Sequence, residues 1–263
     1  MNKLQGLNVV ITGASSGIGE QLSYEVAKRG GTPIMLARSY DKLVDLADQI
    51  EKETDVKPIV YRVDVAEEES VKGVFAKVEK ENGPIDVLIN NAGFGVFEPA
   101  HESSLGDVKL MFNVNVFGAI GCTQAVLPSM MNRKKGHIIF VASQAGKLAT
   151  PKSSAYSATK HAVLGYANSL RMEMQEESIY VSVVNPGPVK TQFFDLADRT
   201  GDYKKSVARF MITAEEVAKK TVNLIEKPKR ELNLPAWMNV GTKFYQVFPS
   251  LVEKIAGNQL RKK

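Results

Sequence analysis

Short apolar runs alternate along the chain with longer amphipathic segments. The apolar runs predict seven strands, at residues 8–12, 32–37, 57–63, 86–90, 137–142, 180–185 and 231–234. Segments with apolar residues at helical spacing lie between them and predict helices at 18–29, 40–53, 70–82, 105–132 (one helix or two), 156–176 and 213–226. Alternating strands and helices indicate right-handed βαβ units, and therefore a parallel sheet covered by helices on both faces.

Composition narrows the class of protein. Of the 263 residues, 44% are hydrophobic and 24% charged, which excludes a mostly disordered chain and fits one domain over 1–263. The single cysteine, Cys122, excludes an internal disulfide framework and predicts a reducing, cytoplasmic location. The net charge is +5, and from Val240 onward there are five basic residues and one acidic residue. The nearly neutral remainder argues against a nucleic-acid surface.

Two segments bear on membranes and targeting. No apolar region of a secretory signal precedes Gly6, so we expect no signal peptide. The longest uncharged stretch, 110–132, contains Asn113, Asn115 and Gln124. These polar side chains are costly in lipid, so we interpret the stretch as a buried helix.

A glycine-rich loop follows the first predicted strand and opens directly into a helix. Its candidate cofactor-binding residues, in the spacing G-x-x-x-G-x-G, are Gly13, Ser15, Ser16, Gly17, Ile18 and Gly19. Glycines let backbone N–H groups approach a phosphate, and the helix dipole favours an anion there. A plain turn is the alternative, but the strand–turn–helix context favours a nucleotide site.

Residues after the second and third strands bear on the cofactor. An acidic residue at the end of the second strand would bind the 2′-hydroxyl of NAD, but Arg38 stands there. A guanidinium can bind a 2′-phosphate through paired hydrogen bonds, which predicts NADP(H); a solvated surface arginine is the alternative. Asp64, followed by Val65, either accepts a hydrogen bond from adenine or caps the next helix.

The fourth strand also ends in a polar run. Asn91, Ala92 and Gly93 follow Asn90 there. Because ligands bind beside the carboxyl ends of parallel strands, this run is a further candidate for cofactor binding. Asn90 itself either contacts the ligand or ties neighbouring strands together, and the sequence does not separate these two roles.

Four residues are candidates for catalysis. Tyr156 and Lys160 are four residues apart in a predicted helix and therefore project from one face. A tyrosine has a pKa near 10, and a nearby ammonium can lower it by ~1–3, toward a useful proton donor. Ser143, just past the fifth strand, is either a turn serine or a hydrogen-bond donor to a substrate carbonyl. Asn115 is either a packed polar group or part of a proton-relay water chain.

Together these motifs resemble the short-chain dehydrogenase/reductase family, in its compact single-domain branch. The resemblance runs from about Leu7 to Leu234 and rests on the glycine loop, Asn90–Gly93, Asn115, Ser143, Tyr156-x-x-x-Lys160 and Pro186-Gly187. It implies an α/β fold, a single-domain Rossmann-like doubly wound parallel sheet of about seven strands. It also implies an NADP(H)-dependent oxidoreductase acting on a small carbonyl or alcohol, without a metal, as a homodimer or homotetramer.

The resemblance assigns roles to the candidates. Tyr156 would be the general acid in reduction, and Lys160 would bind the nicotinamide ribose and tune Tyr156. Ser143 would stabilise the developing alkoxide, and Asn115 would hold a relay water. The segment that embraces the nicotinamide would include Pro186, Gly187, Val189 and Thr191. An NADP-binding regulatory protein without turnover is the competing class, and the intact tetrad argues against it.

Three further expectations concern surfaces. The irregular stretch 186–209 is expected to be a mobile lid. The uncharged 105–132 helix and the Tyr156 helix are expected to form the contact between subunits.

In the segment 235–263, apolar residues recur at helical spacing from Val240 to Ile255, with Pro249 splitting the helix. We expect a flap that forms an apolar wall for a lipophilic substrate. The alternatives are an ordinary packed helix and an interfacial helix drawn to anionic lipid, aided by the basic residues 261–263.

Overall fold

A parallel sheet of seven strands forms the centre of the protein. A computed structural model describes residues 3–198 and 201–260, without the side chains of 202–203 and 255–260. The sheet strands are β1 (Asn8–Thr12), β2 (Thr32–Ala37), β3 (Ile59–Arg62), β4 (Val87–Asn90), β5 (Gly136–Val141), β6 (Ile179–Pro186) and β9 (Glu231–Leu234). A small second sheet pairs β7 (Val189–Lys190) with β8 (Ile212–Thr213).

The strand order is β3-β2-β1-β4-β5-β6-β9, and every pairing is parallel. The order reverses between β1 and β4, whose register places Val10 beside Leu88. In such sheets the ligand crevice lies outside the carboxyl ends of the strands at this reversal. The predicted doubly wound fold is therefore confirmed.

Helices cover both faces of the sheet. They are α1 (Gly17–Lys28), α2 (Tyr40–Thr54), α3 (Glu68–Asn82), α4 (Leu105–Phe112), α5 (Ala119–Arg133), α6 (Ser154–Glu173) and α9 (Ala214–Glu226). In β1, Val9 and Ile11 face the core with α1, α2 and α9, whereas Val10 faces the core with α3, α5 and α6. A strand buried on both faces needs apolar residues at every position, which explains its uninterrupted apolar run.

The long uncharged segment is one continuous helical run rather than two separate helices. A π-helical segment, Asn113–Gly118, joins α4 to α5. By length and composition the run Leu105–Arg133, which contains an 18-residue window with a mean hydropathy of 1.5, could cross a membrane; the core helix of a soluble protein meets the same criterion. Here Cys122, Val126 and Met130 of α5 are fully buried in the core of the domain.

The rest of the chain carries short elements above the carboxyl edge of the sheet. The predicted lid contains β7, α7 (Phe193–Ala197) and α8 (Asp202–Val207); its residues 199–200 lie outside the described part. The C-terminal segment forms α10 (Ala236–Val247) and α11 (Pro249–Leu260), so the predicted break at Pro249 is confirmed. The basic residues 261–263 and the side chain of Ile255 lie outside the described part.

Candidate active site

A cavity of about 770 Å³ opens at the carboxyl edge of the sheet. It gathers most of the residues that the sequence singles out. These are Gly13, Ser15, Ser16, Gly17, Ile18, Arg38, Asp64, Val65, Asn91, Ala92, Gly93, Ser143, Tyr156, Lys160, Pro186, Gly187, Val189 and Thr191. Gly19 and Asn115 are not among the lining residues, and both lie behind the wall.

The glycine loop folds back tightly on the start of α1. Gly13 and Gly17 adopt left-handed backbone angles, with φ of +66° and +60°. A Cβ placed on Gly19 would lie 2.1 Å from the Gly13 carbonyl oxygen, so no side chain fits there. The loop is therefore a cradle of bare backbone at a helix N-terminus, which is the geometry that binds phosphate.

Thr12 and Asn91 join the loops that follow β1 and β4. The Thr12 hydroxyl accepts hydrogen bonds from the backbone N–H groups of Asn91 and Ala92, each at 3.0 Å. The Asn91 side-chain amide donates in return to the Thr12 carbonyl at 2.9 Å. Asn90 instead donates to the Thr123 hydroxyl at 3.0 Å, so it ties β4 to α5. Asn90 thus has a structural role, and it ties its strand to a helix rather than to a neighbouring strand.

Arg38 and Asp64 lie together at the far end of the cavity. Their charged groups are 4.0 Å apart, and the Arg38 side chain is 72% exposed. Asp64 accepts a hydrogen bond from the Ala66 backbone N–H at 3.0 Å, so it shapes the turn before α3. It also lines the cavity, so this contact leaves the predicted adenine contact open. A guanidinium so exposed is free to turn toward a phosphate.

Tyr156 and Lys160 project from one face of α6 into the cavity wall, as the spacing predicts. Both are buried, at 8% and 5% exposure. The Lys160 ammonium lies 5.7 Å from the centre of the Tyr156 ring and donates to the Val141 carbonyl at 3.1 Å. Burial lowers the pKa of Lys160 to about 8, because the charged form loses its hydration.

Ser143 sits where the chain leaves β5 and turns into a short 3₁₀ helix. Its hydroxyl accepts a hydrogen bond from the Ala145 backbone N–H at 3.0 Å. It also lies 3.5 Å from the Pro186 carbonyl, a long contact for an O–H donor. The hydroxyl is thus oriented by its own turn, and its proton is weakly held on the cavity side.

Asn115 fastens the loop after β4 to α6. Its side-chain oxygen accepts from the Phe94 backbone N–H at 3.0 Å, and its amide donates to the Phe94 carbonyl and the Thr159 hydroxyl. Both N–H groups are therefore used within the protein and are not free to bind the expected relay water. A Cβ on Gly93 would meet this side-chain oxygen at 3.1 Å.

Sequence reasoning missed the aromatic side chains around Tyr156. Phe97 and Phe193 each pack with their ring centres 5.6 Å from that of Tyr156, and Phe194 lies 5.5 Å from Phe193. Trp237 lines the cavity further out. The adjacent phenylalanines in the irregular lid were a visible signal. No local spacing rule connects that lid to the loop after β4.

The family follows from the comparisons with known proteins. A family model described as short chain dehydrogenase matches residues 7–200. The chain therefore belongs to the short-chain dehydrogenase/reductase family. The predicted resemblance is thereby confirmed.

Individual relatives agree with this placement. "Dehydrogenase/reductase SDR family protein 7-like" of Drosophila melanogaster is 40% identical over 195 residues, which are 73% of this chain and 60% of that protein. "NADP-dependent 3-hydroxy acid dehydrogenase" of Schizosaccharomyces pombe is 35% identical, over 73% of this chain and 75% of that protein. The match thus spans less than two thirds of the Drosophila relative's length.

Solved structures show the same architecture. An alcohol dehydrogenase from the archaeon Thermococcus sibiricus, complexed with 5-hydroxy-NADP, superposes with a TM-score of 0.78. It is 27% identical in sequence, and the superposition covers 87% of this chain and 95% of that one. The overall fold is therefore that of a known alcohol dehydrogenase structure.

Proposed function

We propose that the protein transfers a hydride between NADP(H) and a carbonyl or secondary alcohol of a lipophilic, uncharged substrate. One observation carries the proposal: Tyr156 and Lys160 are buried together in the wall of the cavity that the glycine loop lines. An NADP-binding regulatory protein could use the loop and Lys160 to hold the cofactor, but it would not need the Tyr156 hydroxyl. The buried ammonium lies 5.7 Å from the centre of the Tyr156 ring, which is the arrangement that proton transfer requires.

The residues present fit NADP(H). The bare backbone cradle from Gly13 to Gly19 accommodates a pyrophosphate, and the exposed Arg38 guanidinium can reach a 2′-phosphate. Asn91, Gly93 and Thr191 complete the wall beside the cradle. When bound, the dinucleotide supplies or accepts the hydride.

The chain's own residues handle the proton and the developing negative charge. The Tyr156 hydroxyl donates a proton to the substrate oxygen in reduction and removes it in oxidation. The Lys160 ammonium, which keeps its proton below about pH 8, favours the phenolate form of that tyrosine. The Ser143 hydroxyl donates a hydrogen bond to the same substrate oxygen as negative charge develops on it.

The cavity wall supports an uncharged substrate. Among the described lining residues, only Arg38, Asp64 and Lys160 carry charged side chains. Arg38 and Asp64 lie after the second and third strands, and the Lys160 ammonium lies beside Tyr156. Around Tyr156 the wall is aromatic, so among the described residues a substrate carboxylate buried there would have no cation of its own besides Lys160. This favours a neutral ketone over the acid that the fission-yeast relative's name specifies.

A matched pair of substrates tests this proposal. NADPH oxidation is measured with a medium-chain ketone and with the keto acid of the same chain length. We expect turnover of the ketone and a much lower kcat/KM for the acid. Preference for the acid contradicts the lipophilic assignment, and NADPH binding without turnover of any ketone supports the regulatory class.

Exchanging Arg38 tests the choice of cofactor. Charged hydrogen bonds contribute ~1.5–3 kcal/mol, so Arg38→Asp should weaken NADPH binding by roughly ten- to a hundredfold and favour NADH. The control is Arg62→Asp, an exposed arginine at the end of β3 that does not line the cavity. Unchanged affinities for both dinucleotides in Arg38→Asp refute this role of Arg38.

Several expectations stay proposals. They are a single domain over 1–263, lid motion of 186–209, and a cytoplasmic location. A homo-oligomer formed through α4, α5 and α6 is another. It is supported by apolar side chains exposed on α4 and on the π-helical segment that joins α4 to α5, namely Leu110 at 45% and Phe117 at 61%. Light scattering at micromolar concentration tests it.

A further inference from the structure

Helix α10 turns its apolar side away from the protein. Thr242 is buried at 2% exposure, and Asn239 and Tyr245 on the same side are partly buried. The opposite side carries large apolar side chains with exposures of 47–72%, namely Trp237, Val240, Phe244 and Val247. A surface helix ordinarily faces its apolar side to the core. The expectation that this face packs on the domain as a flap is therefore wrong for most of its length.

Four of the exposed side chains lie along one side of α10 and are here called the apolar stripe: Trp237, Val240, Phe244 and Val247. They recur at steps of three and four residues, and Phe248 and Leu251, beyond the end of α10, are also exposed. Such a seam also occurs in coiled coils, but these need three or four heptads. Here Pro249 interrupts the apolar pattern after fewer than two heptads.

One end of the apolar stripe meets the mouth of the cavity. Trp237 is 59% exposed and also lines the cavity. Its ring packs 5.8 Å from that of Phe210, which lines the cavity and is 40% exposed. Val240 and Phe244, further along the stripe, do not line the cavity. An apolar molecule moving from the stripe past Trp237 would therefore enter beside the substrate wall.

Basic side chains border this surface. The Arg209 guanidinium lies 4.7 Å from the centre of the Phe210 ring, and Lys243 and Lys254 are exposed on α10 and α11. Among the described side chains of α10 and α11, Glu253 is the acidic one, and it accepts a hydrogen bond from Tyr245. The rim of the stripe is therefore positively charged.

We propose that the apolar stripe docks the protein on an anionic lipid bilayer, with the cavity mouth at the membrane surface. Apolar area with a basic rim is what binds such a surface, and the aromatic residues suit its interface. A two-fold contact between copies would instead bring the same patch, with its basic rim, against itself. Only the idea that substrate arrives from the lipid rests on the proposed function.

Vesicle co-sedimentation tests the docking, because it needs neither cofactor nor turnover. The vesicles are pure phosphatidylcholine, or phosphatidylcholine with phosphatidylserine. The variant is Val240→Glu/Phe244→Glu, and the control is Tyr180→Glu on β6, where the tyrosine is 59% exposed and does not line the cavity. We expect wild type and control to bind the phosphatidylserine vesicles, less so at high salt. The double variant should bind roughly tenfold more weakly or worse.

Kinetics on the same proteins add a second readout. The double variant should turn over a small water-soluble ketone normally but a vesicle-borne lipophilic ketone more slowly. Absence of wild-type binding to phosphatidylserine vesicles, or equal binding by the variant, overturns the proposal. The proposal is also overturned if light scattering shows that wild type forms an oligomer that only the double variant loses, because a second copy of the chain then covers the stripe. Vesicle binding without turnover of any ketone leaves the docking standing and defeats the proposed function instead.

Discussion

The two edges of the sheet treat buried polar groups in opposite ways. At the amino edge a carboxylate has cationic and N–H partners, and a buried imidazole is neutral, although its Nδ1 has no hydrogen-bond partner among the described residues. Asp86 accepts a hydrogen bond from the Asn8 backbone N–H at 3.1 Å and forms an ion pair with Lys135 at 3.2 Å. His137 contacts the Ser182 hydroxyl at 2.9 Å, and burial keeps it neutral by lowering its pKa to about 4.

At the carboxyl edge the Lys160 ammonium is buried, and no opposite charge pairs with it among the residues that the structure describes. The hydrogen bond of the Lys160 ammonium goes to the neutral Val141 carbonyl, and burial lowers its pKa. A pKa of about 8 instead of 10.5 means that folding works against this ammonium by on the order of 3 kcal/mol at neutral pH. The amino edge therefore favours stability, whereas the carboxyl edge retains an arrangement that costs stability, as expected of a site with the proposed function.

The largest effect is expected when the buried charge is removed. Lys160→Met should lower turnover by roughly 10²–10⁴, because Tyr156 loses the cation that favours its phenolate. The same change should stabilise the cofactor-free protein at neutral pH. The pKa of Lys160 is lower in the folded state, so wild-type stability should rise from about pH 8 to 10.5, and the variant should lack this rise.

Denaturant unfolding at neutral and alkaline pH measures this difference. Lys80→Met, at an exposed position on α3, is the control and should change neither turnover nor the pH dependence. A Lys160→Met protein that is less stable than wild type at neutral pH contradicts the idea that the ammonium is buried at a cost.

The glycine cradle offers the next test. In Gly19→Ala the new Cβ would lie 2.1 Å from the Gly13 oxygen and 2.7 Å from the Asn91 amide, so the loop must shift and NADPH affinity should fall at least tenfold. The matched change is Gly73→Ala in α3, where nothing lies within 4 Å. It should stabilise the protein by about 0.5–1 kcal/mol and leave affinity unchanged. Equal effects of the two changes on NADPH binding, measured by fluorescence titration, count against the cradle.

The smallest effect on activity is expected at the amino edge. The folded-state pKa of His137 is about 4 against 6.5 when unfolded, so the unfolded state binds the proton more readily. Wild-type stability should therefore fall as the pH drops from about 6.5 to 4, and His137→Leu should weaken that fall. Turnover at neutral pH should stay near the wild-type value. A large loss of turnover in the variant would mean that the two edges are not separate in function.

Local periodicity predicted the fold and the core of the site. The apolar runs located every strand of the main sheet, although β3 is shorter than predicted, since it begins after Pro58, which has no N–H to donate. The spacing of Tyr156 and Lys160 fixed a shared helix face. Such features depend on residues close together in the chain, so the sequence alone carries them.

Features that join distant segments of the chain could not be predicted from the sequence. The packing of Phe97 and Phe193 on Tyr156 brings together two loops and a helix. The three hydrogen bonds of Asn115 depend on how the loop after β4 folds back over the π-helical segment. The stripe on α10 was visible as an apolar face, but periodicity does not say whether such a face points inward or outward.

The central claim is that Tyr156 moves the proton in the cavity at the carboxyl edge. It is tested most directly by measuring turnover and NADPH binding on the same preparation of Tyr156→Phe. Loss of the hydroxyl should reduce turnover by roughly 10²–10⁴ and leave NADPH affinity within a few-fold of wild type, because the glycine cradle is untouched. Turnover near the wild-type rate in this variant would contradict the claim.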